Sequence, residues 1–385
     1  MQRLKGLNSQ RLKEARLYKK MTMADLAEQV GINKQAISQF ENDKNDPDPI
    51  TLRKISVVLG FPYSFFTEQS KPSIIGNTYF RALYSSKKKD LAAQQVKAKY
   101  LAKIPAILSA TTGMKFRPLN LPPAPPTNVT IEQLANYVRD YWGLGNGPIS
   151  NMVALLERNG IIVGEFATGS RDIDAFYQYY EENNVPTFCV ILGTDKKSFY
   201  RRQFNCAHEL GHILLHERYS DLSEVDREEF RTRENEANSF ASAFLLPADS
   251  FGADVAAYPN RLSHYVELKN KWNVSIMAMI MRARSLDYLT PSQYTYLMRQ
   301  MSSKGYRQVE PLDDQKAYKH PKALKQAITL LMDQMKMSGQ DILNLFSTQG
   351  FSISGNVLEE LLNLNPGTLT QYKAEPDKII QFPRI

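Results

Sequence analysis

One five-residue motif, His208-Glu209-Leu210-Gly211-His212, restricts the fold of this 385-residue chain more than any other feature. Two histidines four residues apart can reach one ion together when they lie on a helix, where positions i and i+4 share a face. Glu209 then projects beside the pair, where it can take a proton from a water molecule instead of acting as a ligand. The motif therefore predicts a helix that carries a hydrolytic metal site.

A zinc ion in such a site needs a third protein ligand and one open position, and it lowers the pKa of its water to about 7. The next predicted helix offers two candidates, Glu234 and Glu236. They are two residues apart and point to different sides of the helix, so only one can face the ion. Phe240 and Phe244 lie on the side of Glu236 and should pack on the core, which favours Glu236. Two imidazoles and a carboxylate favour Zn²⁺ over Mn²⁺.

The charge of the chain is unevenly distributed. Residues 1–120 hold 21 Lys and Arg and 9 Asp and Glu, whereas the remaining residues hold 27 and 31. An N-terminal part with excess positive charge, followed by a mildly acidic remainder, indicates nucleic acid as a partner of the N-terminal part. No apolar run approaches the ~18 residues of a membrane span, so no membrane partner is expected. Cys189 and Cys206 are the only cysteines and provide no disulfide framework, and a cytoplasmic location is expected.

Residues 8–66 are predicted to form short helices, and Met23–Asn42 has the spacing of a helix-turn-helix. A capping box opens the first of these helices at Thr22, and Gly31 occupies the turn. The start of the second helix would enter the major groove of double-stranded operator DNA, where polar side chains read base edges. The predicted DNA contacts are Asn33, Lys34, Gln35, Ser38 and Gln39.

The rest of the chain is predicted to be helical around a small sheet, which makes the fold class α+β and mostly helical. Three strand-like runs, Ile161–Phe166, Ile173–Tyr180 and Pro186–Leu192, are separated by turn signals, as in an antiparallel meander. A proline cluster from Pro118 to Pro126 marks a domain boundary. The predicted parts are a helix-turn-helix domain (1–70), a helical and proline-rich linker (71–128), a metal domain (129–250) and a helical C-terminal region (251–385).

The run Ile32–Asn42, extended through Pro49–Phe65, resembles the XRE family of DNA-binding domains. This resemblance implies a compact domain of the five-helix type. It also supports DNA as the partner of the positively charged N-terminal part of the chain.

A second resemblance covers about residues 130–250. Ile173–Phe176, Phe204–His216 and Glu236–Pro247 resemble the ImmA/IrrE family of zinc metallopeptidases. The resemblance implies a zincin-like domain in which His208, His212 and Glu236 bind Zn²⁺ and Glu209 is the catalytic base. It also implies a protein substrate, such as a repressor or a toxin-like regulator.

Together these features predict a DNA-binding transcriptional regulator with a zinc-dependent endopeptidase domain. The alternative is a non-catalytic repressor or antitoxin-like protein, in which the zincin fold serves structure, sensing or partner binding. An intact Glu209 favours catalysis, because a purely structural zinc site needs no general base. The sequence leaves open whether the chain forms a homodimer and whether His216, one turn beyond His212, supports the site.

Overall fold

A computed structural model of the protein describes residues 6–69, 74–80, 88–125, 128–169, 174–182, 185–195, 198–216 and 226–370. Within these ranges the chain is mostly helical and contains a four-stranded sheet, so the predicted α+β class is confirmed. None of the helices in these ranges is long and apolar enough to cross a membrane. The predicted strand start at Ile173 and the tail beyond residue 370 lie outside the described residues.

Five short helices form the N-terminal domain, as predicted. The first four begin at a side chain that accepts hydrogen bonds from the first turn, namely Asn8, Thr22, Asn33 and Asp48. The predicted capping box at Thr22 is present, and Gly31 ends the second helix in the left-handed region. The helices are α1 (Ser9–Tyr18), α2 (Met23–Val30), α3 (Lys34–Glu41), α4 (Pro49–Leu59) and α5 (Tyr63–Thr67).

Twelve further helices follow in the described residues, and capping boxes at Thr130, Thr290 and Ser338 open three of them. A 25-residue helix precedes the proline-rich stretch, and four helices flank the sheet in sequence. These are α6 (Lys88–Thr112), α7 (Ile131–Tyr141), α8 (Met152–Arg158), α9 (Phe199–Leu215) and α10 (Arg227–Leu245). The C-terminal region contains α11 (Ala248–Ala256), α12 (Leu262–Trp272), α13 (Ile276–Ser285), α14 (Pro291–Ser303), α15 (Ala323–Asp333), α16 (Gly339–Thr348) and α17 (Gly355–Leu362).

The sheet is mixed, so the predicted antiparallel meander is wrong in one pairing. Its order is β1–β3–β4–β2, with β1 (Ile74–Phe80), β2 (Ile162–Phe166), β3 (Ala175–Glu182) and β4 (Val185–Gly193). β3 is antiparallel to β1 and β4, but β2 is parallel to β4. A tight hairpin uses two to five connecting residues, whereas about eight separate β2 from β3. This longer connection lets β3 join the far side of β4, and the sequence pattern did not predict β1.

Two hydrophobic cores lie on opposite faces of the sheet. The first contains Phe176 and Ile191 and joins α1–α5 to α6 and to α15–α17. The second contains Tyr177 and Val190 and joins the sheet to α7–α14. Alternate residues of one strand point to opposite faces, so β3 and β4 contribute to both cores. The sheet therefore connects the part that contains the helix-turn-helix to the part that contains α9.

The structure adds detail to the predicted parts of the chain, whose boundaries remain predictions. The segment 71–128 contains β1 and α6, and α6 buries residues such as Tyr100 and Leu101 in the first core. The C-terminal region divides between the cores, since residues 251–301 join the second and residues 324–369 join the first.

Candidate metal centre and DNA-contact helix

Helix α9 positions the His-Glu-x-x-His motif. Ser198 caps its first turn by accepting a hydrogen bond from the Arg201 amide, and Cys206, Ala207 and Leu210 are buried on the core side. Gly211 allows α10 to approach closely, because a Cβ at this position would lie 3.1 Å from Phe240 and 3.2 Å from Ala237. The motif is therefore pressed against α10 at Ala237.

The two histidines of the motif converge as the sequence predicted. His208 and His212 are 4% and 1% exposed, and their Nε2 atoms are 3.0 Å apart. Two imidazole nitrogens that face the same point are a donor pair suited to a divalent ion. Glu209, which is 3% exposed, lies between them in the chain on the same buried helix.

Glu234 stands beside the imidazoles, where the sequence favoured Glu236. Its Oε1 atom is 3.2 Å from His212 Nε2, and its Oε2 atom is 3.6 Å from His208 Nε2. The ligand atoms of these three residues lie within 4.8 Å of one another. Two imidazoles and a carboxylate brought together in this way fit a zinc ion with an open position.

The way α10 meets α9 explains why Glu234, and not the Glu236 that the sequence favoured, lies beside the imidazoles. The Phe240 and Phe244 stripe packs in the core, but α10 meets α9 at Ala237 against Gly211. Glu234 precedes Ala237 by three residues and shares its face, whereas Glu236 is turned about 100° away. The Glu236 side chain is 41% exposed and contacts His216 instead.

A second layer of polar residues orients the two imidazoles. His208 Nδ1 donates to Asn238 Oδ1 at 3.0 Å, which leaves its Nε2 lone pair facing the centre. His212 Nδ1 lies 2.9 Å from His216 Nδ1, and His216 Nε2 lies 3.1 Å from Glu236 Oε2. Burial lowers the pKa of His216, although Glu236 opposes the shift.

A neutral His216 can make both of these contacts in one tautomer only. Its Nε2–H donates to the Glu236 carboxylate, so its Nδ1 accepts from His212 Nδ1–H. His212 Nε2 is then deprotonated and faces the centre. Sequence reasoning missed Asn238, and it expected Glu236 at the ion, whereas in the structure Glu236 contacts His216. The helical spacings of four residues from His212 to His216 and from Glu234 to Asn238 are signals that could have found this layer.

A cleft of about 740 Å³ has Asn238, the hydrogen-bond partner of His208, in its wall. Helix α10 provides a polar wall, and α13 provides Met277 and Met281 together with Arg282 and Ser285. The cleft also reaches Asp174, the residue before β3. Its volume lies within the range of ligand sites, about 300–1,000 Å³.

The predicted DNA contacts lie along the exposed side of α3. Lys34 and Gln35 are exposed, and Ser38 and Gln39 are partly exposed on the following turn. Asn33 is also exposed, but its Oδ1 accepts a hydrogen bond from the Ala36 amide, so this side chain caps α3. The helix begins directly beyond the turn at Gly31, as a helix-turn-helix requires.

A buried ion pair fixes α3 on the side that faces the domain core. The Arg16 guanidinium binds both carboxylate oxygens of Glu41, at 2.5 and 2.7 Å, and both side chains are almost fully buried. Ile37 is fully buried between the helices. This bidentate contact fixes the orientation of α3 against α1, so its polar side faces outward.

Comparisons with known proteins agree with this division. Residues 12–66 match the family model described as helix-turn-helix, and residues 156–284 match the one described as IrrE N-terminal-like domain. Multiprotein-bridging factor 1c of Arabidopsis thaliana is 40% identical over 60 residues, which are 16% of this chain. The chain spans about 40% of the length of that curated relative. The chain therefore combines an XRE-type helix-turn-helix domain with an IrrE/ImmA-like domain of the peptidase M78 family.

Proposed function

We propose that this protein is a DNA-binding transcriptional regulator whose M78 domain is a zinc-dependent endopeptidase. Its substrate would be a partner repressor or another regulatory protein in the cytoplasm. The observation that carries the proposal is the convergence of His208, His212 and Glu234 on the helix pair that also carries Glu209. A structural zinc site has no use for such a neighbouring base.

His208, His212 and Glu234 would hold the zinc ion. When bound, zinc supplies a Lewis acid and a water molecule whose pKa is near 7. The Glu209 carboxylate takes a proton from the attacking water and delivers it to the leaving amine. Asn238 and the His216–Glu236 pair keep the lone pairs of the two ligating histidines on the centre.

The cleft that has Asn238 in its wall suits a polypeptide substrate. Its α10 wall offers the side chains of Asn235, Asn238 and Ser239, which can hydrogen-bond peptide groups. Its α13 wall offers Met277 and Met281, whose flexible thioethers adapt to apolar side chains. This combination supports an extended peptide better than a small polar metabolite.

The helix-turn-helix would bring this activity to an operator. In the proposal, Lys34 contacts a phosphate, and Gln35, Ser38 and Gln39 contact base edges in the major groove. Asn33 starts the helix by capping it. A two-fold symmetric operator would engage two copies of the chain, as a homodimer on DNA.

The test is the substitution Glu209→Gln in the full chain, loaded with zinc and incubated with purified repressors encoded beside its gene. We expect cleavage, measured by mass spectrometry, to fall by about 10²–10⁴-fold, because the general base is lost while the ligands remain. Zinc content should stay unchanged. Glu228→Gln, the same chemical change at an exposed position of α10, is the matched control and should cleave normally.

A result in which Glu209→Gln cleaves as fast as the unmodified chain would contradict the assignment of the base. If neither protein cleaves any repressor, while Glu209→Gln regulates the promoter normally in cells, the non-catalytic alternative is supported. In that case the M78 domain serves as a sensing or partner-binding module.

A further inference from the structure

Strand β1 pairs with the part of the sheet that lies next to the metal centre. Tyr177 in β3 places its ring against that of His212, with 6.3 Å between the centroids and 29° between the planes. The register sets Tyr79 opposite Tyr177 and Phe80 opposite Phe176, in antiparallel orientation. The chain's own segment therefore lies along the stretch of β3 that borders the centre.

Without β1, this side of β3 would be the edge of the sheet. An edge strand presents a row of backbone N–H and C=O groups, and an extended peptide can add to it as a new strand. Such a strand lies about 4.8 Å from its neighbour. A peptide that added beyond β1 would lie roughly 10 Å from β3, a full strand further from the centre. The position next to β3 is therefore the one that brings a peptide bond to the centre.

We propose that the edge of β3 is the substrate-binding edge and that β1 occupies it as an intramolecular competitor. The ligand class is an extended polypeptide segment that pairs antiparallel with β3 from Phe176 to Glu181. The part of this inference that concerns cleavage rests on the proposed peptidase function, but the competition for the edge does not. β1 ends opposite Phe176, close in sequence to Asp174 in the wall of the cleft, so a substrate in its place would run toward the cleft.

The pairing of β1 is suited to displacement. β1 is matched to β3 at five positions, and the register is irregular between Ile75 and Thr78. β4, on the other side of β3, is matched at eight consecutive positions without a break. A glycine within a strand weakens it, and Gly76 lies in the irregular part of β1. Exchange of β1 for another strand thus disrupts fewer backbone hydrogen bonds than opening of the β3–β4 hairpin.

The first experiment measures the competition directly. The probe is a fluorescent synthetic peptide with the sequence of residues 71–83, added to the full zinc-loaded chain. In the variant Ile75→Pro with Tyr79→Pro, two strand amides are removed and β1 should leave the edge. We expect this variant to bind the probe at least about tenfold more tightly than the unmodified chain, whose site is filled. Equal binding by the two proteins, or no binding by a folded variant, would overturn the proposal.

A disulfide provides a second test that does not depend on disrupting β1. Thr78 and Gln178 are opposite each other in the register, and Cα atoms of antiparallel partners lie close enough for a disulfide. Oxidised Thr78→Cys with Gln178→Cys should lose probe binding and cleave β-casein at least about tenfold more slowly than its reduced form. Thr78→Cys alone is the control and should not respond to oxidant, because the native Cys189 and Cys206 are buried.

The two proposals can fail separately. If neither β-casein nor any of the tested repressors is cleaved but the disulfide abolishes probe binding, the peptidase function fails and the competition stands. If the oxidised chain binds the probe and cleaves as well as the reduced chain, β1 does not compete for the edge, whatever the catalytic activity.

Discussion

Helices α3 and α9 both carry the side chains that matter for function, but they present them differently. On α3, Lys34 and Gln35 are exposed to solvent. On α9, His208 and His212 are buried and already oriented by α10. In the proposed function, DNA would complete the surface site, whereas the fold itself brings the ligands of the buried site together.

The difference in burial between the two sites determines how a substitution affects the protein. A change on the exposed side of α3 removes contacts with a partner and leaves the packing of the domain intact. A change at the metal centre alters a layer of buried hydrogen bonds that connects His212, His216 and Glu236. Buried polar groups that lose a partner are costly, so effects at the centre should be larger than effects on α3.

The largest expected effect separates the two candidate ligands on α10. We expect Glu234→Ala to weaken zinc binding by more than about 100-fold, because a ligand is removed. Glu236→Ala should weaken it by about tenfold, since it removes only the group that orients His216 and, through it, His212. Competition with a zinc chelator of known affinity measures both.

Glu228→Ala, at an exposed position of the same helix, controls for the loss of a carboxylate and should bind zinc normally. The opposite order, with Glu236→Ala more damaging than Glu234→Ala, would restore the ligand that the sequence favoured and refute the geometry described above.

A smaller effect is expected on α3. The double variant Lys34→Ala with Gln35→Ala should bind operator DNA about tenfold more weakly and with a reduced dependence on salt, because a phosphate contact and a base contact are lost. Zinc content and thermal stability should not change. Fluorescence anisotropy at several salt concentrations provides the measurement, with Lys13→Ala on the exposed side of α1 as the matched control. A double variant that binds as tightly as the control would remove α3 from the DNA interface.

The smallest effect concerns the attachment of the helix-turn-helix domain to the C-terminal helices. The Glu360 carboxylate accepts a hydrogen bond from Tyr18 Oη at 2.8 Å and lies 2.5 Å from Lys97 Nζ. Burial raises the pKa of Glu360, but the Lys97 charge and the hydrogen bonds from Lys97 and Tyr18 outweigh it, so the pKa is lowered. A lowered pKa stabilises the folded state above the unfolded value near 4.5, and this stabilisation is lost as the pH falls through the folded value.

Glu360→Gln should therefore lower the melting temperature slightly at pH 7, and the difference from the unmodified chain should shrink below pH 4. Thermal melts at pH 7 and pH 3.5 test this, with the exposed Glu267→Gln as control. A difference that grew on acidification would show that the sign of the pKa shift is wrong.

The features that local sequence determines were predictable. The capping boxes at Thr22, Thr130 and Ser338 are present because their partners lie three residues away. The histidine pair converges because helical spacing alone puts both residues on one face. The first four helices of the N-terminal domain also begin at short-range capping signals, whereas the expectation of five helices came from the family resemblance.

The features that the sequence did not reveal depend on contacts between segments that are distant in the chain. The choice between Glu234 and Glu236 depends on the angle at which α10 meets α9, which Gly211 and Ala237 set together. The parallel pairing of β2 with β4 depends on which edge of the β3–β4 hairpin is available. Neither the periodicity of one helix nor the composition of one strand contains that information.

The first hydrophobic core has a consequence for synthesis on the ribosome. Its members include residues of α1–α5, of α6 and the sheet, and of the segment 324–369, so α1 and α5 gain part of their packing from a segment translated much later. Roughly 290 residues separate the end of α5 from the start of α17. At about 5–20 residues per second, translation of that interval takes on the order of 15–60 s. During this time, the nascent N-terminal helices expose apolar surface that chaperones can bind, and they reach their final packing only after α17 emerges.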